Sequence, residues 1–291
     1  MLTRTLALFL VGLLLPATVV AEPGSRLWAT GGVTTIEGSA GGGLVPWALL
    51  SSYASDDEWG GTLSLARAEV SDFTLSVTAA ALTWRNRVEL SLARQTLDLD
   101  DFSFTLDDAF GLREDELVQD IFGAKLRVFG DVLYQPWGQW SLGVQHKRNR
   151  TFTVPDAIRA RSANGTDVYL AGSKLFFAAL LERNLLLNLT LRGSKANQGG
   201  LLGFGGDDGN SYRAHVEASA GVFLDRRWLV GAEYRQKSDN LSFANEDDWW
   251  DLFVAWVPSR HLAVTGAWVN LGDVATQTDQ RGLYLSLQGT F

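Results

Sequence analysis

No cysteine occurs in the 291 residues. Disulfide scaffolds, thiolate metal sites and cysteine nucleophiles are therefore excluded. Histidine is scarce as well, at three residues, so imidazole chemistry has few places to sit. Positive charge is in deficit, with 25 Lys and Arg against 33 Asp and Glu and a formal net charge of −8. A nucleic-acid binder carries a basic footprint, and this balance argues against one. Beyond the first residues there is no long apolar run. A membrane-spanning helix, which needs about 20 apolar residues, is thus not expected. Disorder is excluded by the opposite measure, since 46% of the chain is hydrophobic.

The one apolar run lies at the amino terminus. Met1 to Ala21 carries Arg4, then the stretch Leu6 to Leu15, then the small-residue pattern Val19-Val20-Ala21. That is the plan of a secretory signal peptide, and the run is too short to span a bilayer as a helix. Cleavage would remove Arg4 and no acid, leaving 24 basic residues against 33 acidic ones, net −9. Residues 22–291 are then expected to form a single domain.

Alternation of apolar and polar residues runs through that domain. Tyr212, Ala214, Val216, Ala218, Ala220, Val222 and Leu224 fall on one face, opposite Arg213, His215, Glu217 and Ser219. Leucines 185, 187, 189 and 191 repeat the plan, as do Trp228, Val230, Ala232 and Tyr234 opposite Glu233, Arg235 and Lys237. A period of two means strands with one apolar face. Fourteen such segments begin near Leu27, Val45, Trp59, Thr74, Arg87, Ile121, Trp140, Asp167, Leu185, Tyr212, Trp228, Trp249, Leu262 and Gly282. Their connections sort into short turns (55–58, 85–86, 135–139, 182–184, 225–227, 259–261) and long polar stretches (98–120, 150–166, 195–211, 238–248, 271–281). The short connection 71–73 breaks the pattern. Outer-membrane barrels show this asymmetry, whereas a soluble sandwich has no reason for it. The reading is all-β: a transmembrane antiparallel up-and-down β-barrel of about fourteen strands, with twelve as the alternative, located in a bacterial outer membrane. Outer-membrane lipid and lipopolysaccharide are the expected surroundings, and the sequence sets no oligomeric state.

Eleven tryptophans require a reason. Trp59, Trp84, Trp137, Trp140, Trp228 and Trp256 stand at or beside short turns, where an aromatic girdle would meet the membrane boundary. The last strand, Gly282 to Phe291, sets Leu283, Leu285 and Leu287 on one face and ends in Phe291. It resembles the carboxy-terminal signal of barrel proteins, apart from Gly289, and implies the barrel-assembly machinery as a partner.

Gly31-Gly32-Val33, Ile36-Glu37-Gly38, Ala40 to Leu44 and Pro46-Trp47-Ala48, with Arg87 to Gln95 later, resemble a proteobacterial family described only as a domain of unknown function. The resemblance implies a secreted outer-membrane protein over essentially the whole mature chain, and no activity. The Gly-rich residues 22–44 are read as a strained first strand or hairpin, with a partial plug folded into the lumen as the alternative.

Chemistry is sparse. A lipid hydrolase of this membrane would need a His with a nearby Ser. His146 is followed by Lys147 and Arg148; His215 has Glu217 and Ser219 on its own strand face but cannot reach Ser219 along it; His261 lies in a turn. No catalytic, cofactor or metal residues are assigned, and an enzyme is not expected. What remains is the inward face: Lys125, Arg127, Lys147, Arg192, Arg213, His215, Glu217, Glu233 and Arg235 are the candidate lumen and selectivity residues. They suggest a passive channel for small hydrophilic solutes with a weak anion preference. The alternatives are a closed, salt-bridged structural or adhesion barrel acting through acidic loops and, behind it, the hydrolase. Small inward residues Thr62, Ser64, Ala66, Ser76 and Thr78 are expected to leave space on one side.

Overall fold

The computed structural model describes residues 31–99, 111, 114–243 and 246–291. The segment read as a signal peptide and most of the acidic run after Asp98 lie outside them. Alternating stretches form the strands the period demands: β3 (Trp59–Val70), β4 (Thr74–Trp84), β5 (Val88–Asp98), β6 (Glu116–Gly130), β7 (Gln139–Asn149), β8 (Asn164–Leu180), β9 (Arg183–Ser194), β10 (Arg213–Phe223), β11 (Trp228–Arg235), β12 (Trp249–Ser259), β13 (Leu262–Val274) and β14 (Gln277–Thr290). Each pairs antiparallel with its neighbours in sequence, and β14 returns to β3, closing a twelve-stranded up-and-down barrel. Closure leaves no unpaired edge.

Twelve strands, not fourteen, make the wall. The candidate near Leu27 lies outside the described residues, and the one near Val45 is not a wall strand. Residues 31–54 instead lie inside the barrel, with a two-stranded hairpin of β1 (Val33–Thr34) and β2 (Ala40–Gly41). This stretch is made of small and apolar residues on both phases of the alternation, so it can be buried on every side.

At the seam, β14 and β3 pair from Gly282↔Val70 to Thr290↔Thr62. The Gly61 amide then donates to the Phe291 carbonyl at 2.8 Å, and the Phe291 amide to the Gly61 carbonyl at 3.0 Å. A Cβ on Gly61 would stand 2.5 Å from the Phe291 ring, so the terminal ring needs glycine beneath it. Leu283, Leu285 and Phe291 are exposed on the outer wall, with Leu287 partly so.

The outer wall carries an apolar belt that includes Leu63, Leu65, Leu90, Leu92, Phe122, Leu126, Leu187 and Leu189. Its edge toward the loops is charged, marked by Arg67 and Glu69 and by Asp120 between Arg94 (2.7 Å) and Arg150 (2.6 Å). Its other edge is aromatic. Trp59 packs on Trp84 at 5.9 Å, Trp228 on Trp256 at 5.8 Å, and Trp140 on Phe129 at 6.2 Å. Trp137 sits at the same end, its carbonyl accepting from the Trp140 indole at 2.9 Å. On β4 the inward residues are Val77, Ala79, Ala81 and Thr83, while Ser76 and Thr78 face out, opposite to expectation. With alanine on both faces, β4 has too little contrast to reveal its phase.

The strand ends that bound the long connections, between β5 and β6, β7 and β8, β9 and β10, and β11 and β12, share one end of the barrel, and the connections 85–87, 131–138, 181–182, 224–227 and 260–261 share the other. The expected loop 271–281 is mostly ladder: β13 and β14 run on to a two-residue turn, 275–276, through two register shifts. Phe73, Leu99, Leu117, Val154, Ile158, Leu202 and Leu241 gather into an apolar layer over the loop-side mouth, around the short helix α1 (Thr153–Ala157) and a 3-10 turn at Gln198–Gly200.

The belt sets a depth-dependent penalty for charge. Leu92→Arg is expected to cost about 2–4 kcal/mol of folding free energy in lipid, and Glu69→Arg, at the charged edge, about 0–1 kcal/mol. Equilibrium unfolding in bilayers measures both; equal costs would place the belt elsewhere.

Candidate functional site

The site is the interior of the barrel, and it is occupied by the chain itself. Residues 31–54 are buried almost without exception, and inward side chains from around the wall bond to their backbone. Glu89 on β5 accepts from the amides of Ala40 (3.2 Å) and Ser51 (2.6 Å). Lys125 on β6 donates to the carbonyls of Ala40 (2.8 Å) and Leu49 (2.9 Å) and lies 3.4 Å from Glu89. Gln139 and Ser141 on β7 both donate to the Ala48 carbonyl at 2.6 Å. Thr190 on β9 donates to the Pro46 carbonyl at 2.8 Å, and Gln288 on β14 accepts from the Thr34 amide at 2.7 Å. Glu233 on β11 accepts from the Leu44 amide (2.8 Å) and the Trp47 indole (3.3 Å), while Ser219 on β10 also accepts from that indole (2.9 Å). With Thr83 on β4 and Ser173 on β8, nine of the twelve wall strands take part. Over residues 33–47 the backbone pairs with itself, and wall side chains make the bonds that hold the segment in place.

Two glycines show why this segment is glycine-rich. A Cβ on Gly42 would fall 2.3 Å from a Glu233 oxygen, and Gly38 has φ +90 with Ala93 only 3.0 Å from where its Cβ would stand. The segment touches the wall too closely for side chains at these points.

One carboxylate anchors the arrangement. Glu37 lies 2.6 Å from Lys147, 2.6 Å from Arg235 and 3.0 Å from Arg192. Those cations also meet wall acids: Asp167 is 2.8 Å from Lys147 and 3.3 Å from Arg192, and Glu217 is 2.6 Å from Arg192 and 3.2 Å from Arg235. Three cations and three carboxylates, all buried, form one cluster. Ions removed from water are tolerated only when paired and hydrogen-bonded, and the third acid comes from the lumen segment.

The candidate lumen residues therefore separate into groups. Lys125, Lys147, Arg192, His215, Glu217, Glu233 and Arg235 point inward and are buried. Arg127 sits half-buried at the turn-side rim, bonded to the Gly130 carbonyl at 3.0 Å. Arg213 does not line the lumen: it is exposed at the loop-side edge and reaches the Asp239 carbonyl at 3.3 Å. The excess of Lys and Arg over Glu among those candidates does not carry over to the interior. Glu37, Asp167 and Asp251 face the interior as well, Asp251 directly opposite Glu233 in the ladder. Sequence reasoning passed over Glu37, yet a signal existed. It is the sole charged residue between Arg26 and Asp56, and a lone charge in a small, apolar stretch must find buried partners.

His215 meets a serine, but not the one on its own strand: its Nε2 and the Ser238 Oγ are 2.8 Å apart, both groups buried. At the loop-side mouth, Asp207 accepts from the Ser242 hydroxyl (2.6 Å) and amide (3.0 Å) and from Arg159 (3.2 Å), tying three loops together. The Ser242 bonds, aided by Arg159, hold the Asp207 carboxyl below the usual carboxylate range. Among the described residues, no group of three His, Cys, Asp or Glu could hold a metal ion.

A closed, outer-membrane-type β-barrel with its lumen filled from its own amino-terminal side is the class of protein these features define. Residues 30–288 match the family described as protein of unknown function (DUF3034), and the chain belongs to that family. No curated protein matches the sequence. Among solved structures, the chain is similar to the KdgM porin, at 10% identity over 79% of this chain and 99% of that one, with a TM-score of 0.49. It is similar also to an outer membrane channel from Pseudomonas putida F1 (11% identity, 82% and 97% covered, TM-score 0.49). A third is Omp33 of Acinetobacter baumannii (11% identity, 81% and 100% covered, TM-score 0.46).

Removing the Glu37 charge strands a buried cation. Glu37→Gln is expected to destabilise the seated segment by about 3–5 kcal/mol, the usual cost of breaking one side of a buried pair. Protease cutting within residues 31–54 of the detergent-solubilised protein, with the barrel core left intact, is the readout. Equal resistance in variant and parent would show that Glu37 does not hold the segment.

Proposed function

We propose that the chain is an outer-membrane channel for small hydrophilic solutes, closed at rest by residues 31–54 and opened when that segment leaves its seat. The observation that carries this reading is the mode of attachment. A segment bound through side chains can be released without breaking the wall ladder. Behind it lies a polar wall that includes Thr83, Glu89, Gln95, Gln119, Gln139, Gln145 and Thr190. Twelve strands fall between the eight whose interior side chains fill and the sixteen that leave an aqueous pore. Emptied, such a barrel has room for water and small solutes. Export by the amino-terminal signal and residence in the outer membrane belong to the same reading.

Selectivity follows from the charge cluster. When Glu37 departs, Lys147, Arg192 and Arg235 keep only Asp167 and Glu217, so that layer gains one positive charge. Glu233, on the same strand as Arg235, and Asp251, its ladder partner on β12, stand beside that layer and offset the gain. The attraction for anions is therefore weak and local and sets no strong overall preference.

A second reading, a permanently closed structural barrel, is favoured by the completeness of the filling. Conductance separates the two. In planar bilayers the parent protein is expected to stay closed, whereas deletion of residues 31–54 gives discrete steps. A folded deletion variant that remains silent would favour the structural barrel. Should the deletion fail to fold, Glu37→Ala can be combined with Ser51→Cys and Thr83→Cys, whose hydroxyl oxygens lie 2.8 Å apart. In a chain without other cysteines, oxidation is expected to abolish conductance and reduction to restore it.

A further inference from the structure

A concavity of about 640 Å³ opens at the turn-side rim, between the end of β4 and the end of β6. Arg85, Arg87 and Arg127 line it, with Asp56 as the acid among them. Its frame is fixed by backbone: the Arg85 amide donates to the Glu58 carbonyl and the Arg127 amide to the Arg87 carbonyl, both at 2.8 Å. Arg127 spends part of its charge on Gly130 and on Asp131 at 3.6 Å. Arg85 stacks over the Trp84 ring at 5.2 Å, and neither Arg85 nor Arg87 has an acidic partner among the described residues.

The apolar side of the concavity is built by an irregularity in the ladder. The register of β6 shifts between Arg127 and Phe129, so that Val128 and Phe129, consecutive in sequence, are both exposed on the outer wall. Bulges at barrel rims re-aim side chains in this way. Together with Trp84 they continue the apolar belt up to the three guanidinium groups. The arrangement therefore joins a cationic pocket to a lipid-facing surface at the edge of the hydrocarbon layer.

We infer that this rim concavity binds the phosphate-bearing headgroup of an anionic phospholipid, with the phosphate on Arg85 and Arg87 and an acyl chain along Trp84, Val128 and Phe129. Guanidinium forks fit phosphate oxygens in pairs, and a site half in lipid favours Arg over the more strongly hydrated Lys. Short turns face the periplasm in barrels of this type, so the lipid comes from the periplasmic leaflet. The assignment is independent of whether the barrel conducts.

Thermal unfolding in neutral detergent, titrated with phosphatidylglycerol, tests it. Binding to the folded state raises the midpoint as lipid is added, and phosphatidylcholine is expected to give no comparable rise. The Arg85→Ala, Arg87→Ala double variant is expected to need about tenfold more phosphatidylglycerol, or more, for the same rise. Replacing Arg226 and Arg227 on another turn should leave the response intact. If the alanine pair does not fold, Arg85→Lys with Arg87→Lys keeps the charge and loses the fork, and a weakened response is again expected. An undiminished response in either Arg85/Arg87 variant, an equal response to phosphatidylcholine, or the same rise from inorganic phosphate alone would overturn the lipid site.

Discussion

The neutrality of a buried charge cluster is the constraint on which the interior depends. Lys147, Arg192 and Arg235 project from three different wall strands into the buried interior, and two wall acids, Asp167 and Glu217, leave one positive charge over. Glu37 supplies the missing carboxylate from a segment that is not part of the wall. Its position fixes how deep the hairpin sits. The small residues around it, Gly38 above all, then let the backbone come close enough for Glu89, Lys125, Gln139 and Glu233 to reach its amides and carbonyls. Each partner is needed, because an unsatisfied polar group in such an interior costs far more than a bond gains.

The wall was legible in the sequence because its two faces meet different media. Lipid outside and a polar lumen inside impose strict alternation, and twelve of the fourteen candidate starts fall within β3–β14 or one residue before them, with Ile121 and Gly282 five residues inside β6 and β14. The tryptophans were legible for a related reason, since an indole at a boundary sits near a turn. Where contrast fades, so does the reading. Alanine on both faces of β4 hid its phase, and polar residues in 271–281 read as a loop although they continue the β13–β14 ladder above the belt.

The lumen segment was less legible. Residues 31–54 are surrounded by protein on every side, so no period distinguishes an inner face from an outer one. Glycine density admitted both a hairpin and a plug, and the structure shows a hairpin within the lumen. The inward cations were visible from alternation alone, but their partners were not. Glu37 belongs to no strand of the wall, and Asp167 and Asp251 each stand near a strand end, where burial is hard to infer from pattern. A count restricted to the visible residues therefore suggested a basic pore, whereas the assembled interior is balanced. Asp207 and His215 carry the same lesson at the loop side: their partners, Ser242 and Ser238, arrive from a different connection.

The central claim is that residues 31–54 are seated in the lumen of the folded protein. Hydrogen–deuterium exchange in a lipid bilayer tests it most directly, because the amides of Thr34, Ala40, Leu44, Ala48 and Ser51 are all donated to wall side chains. The account requires these amides to exchange slowly, approaching the protection of the wall strands, and to lose that protection in Glu37→Gln. Exchange at the rate of an open chain in the parent protein would contradict it.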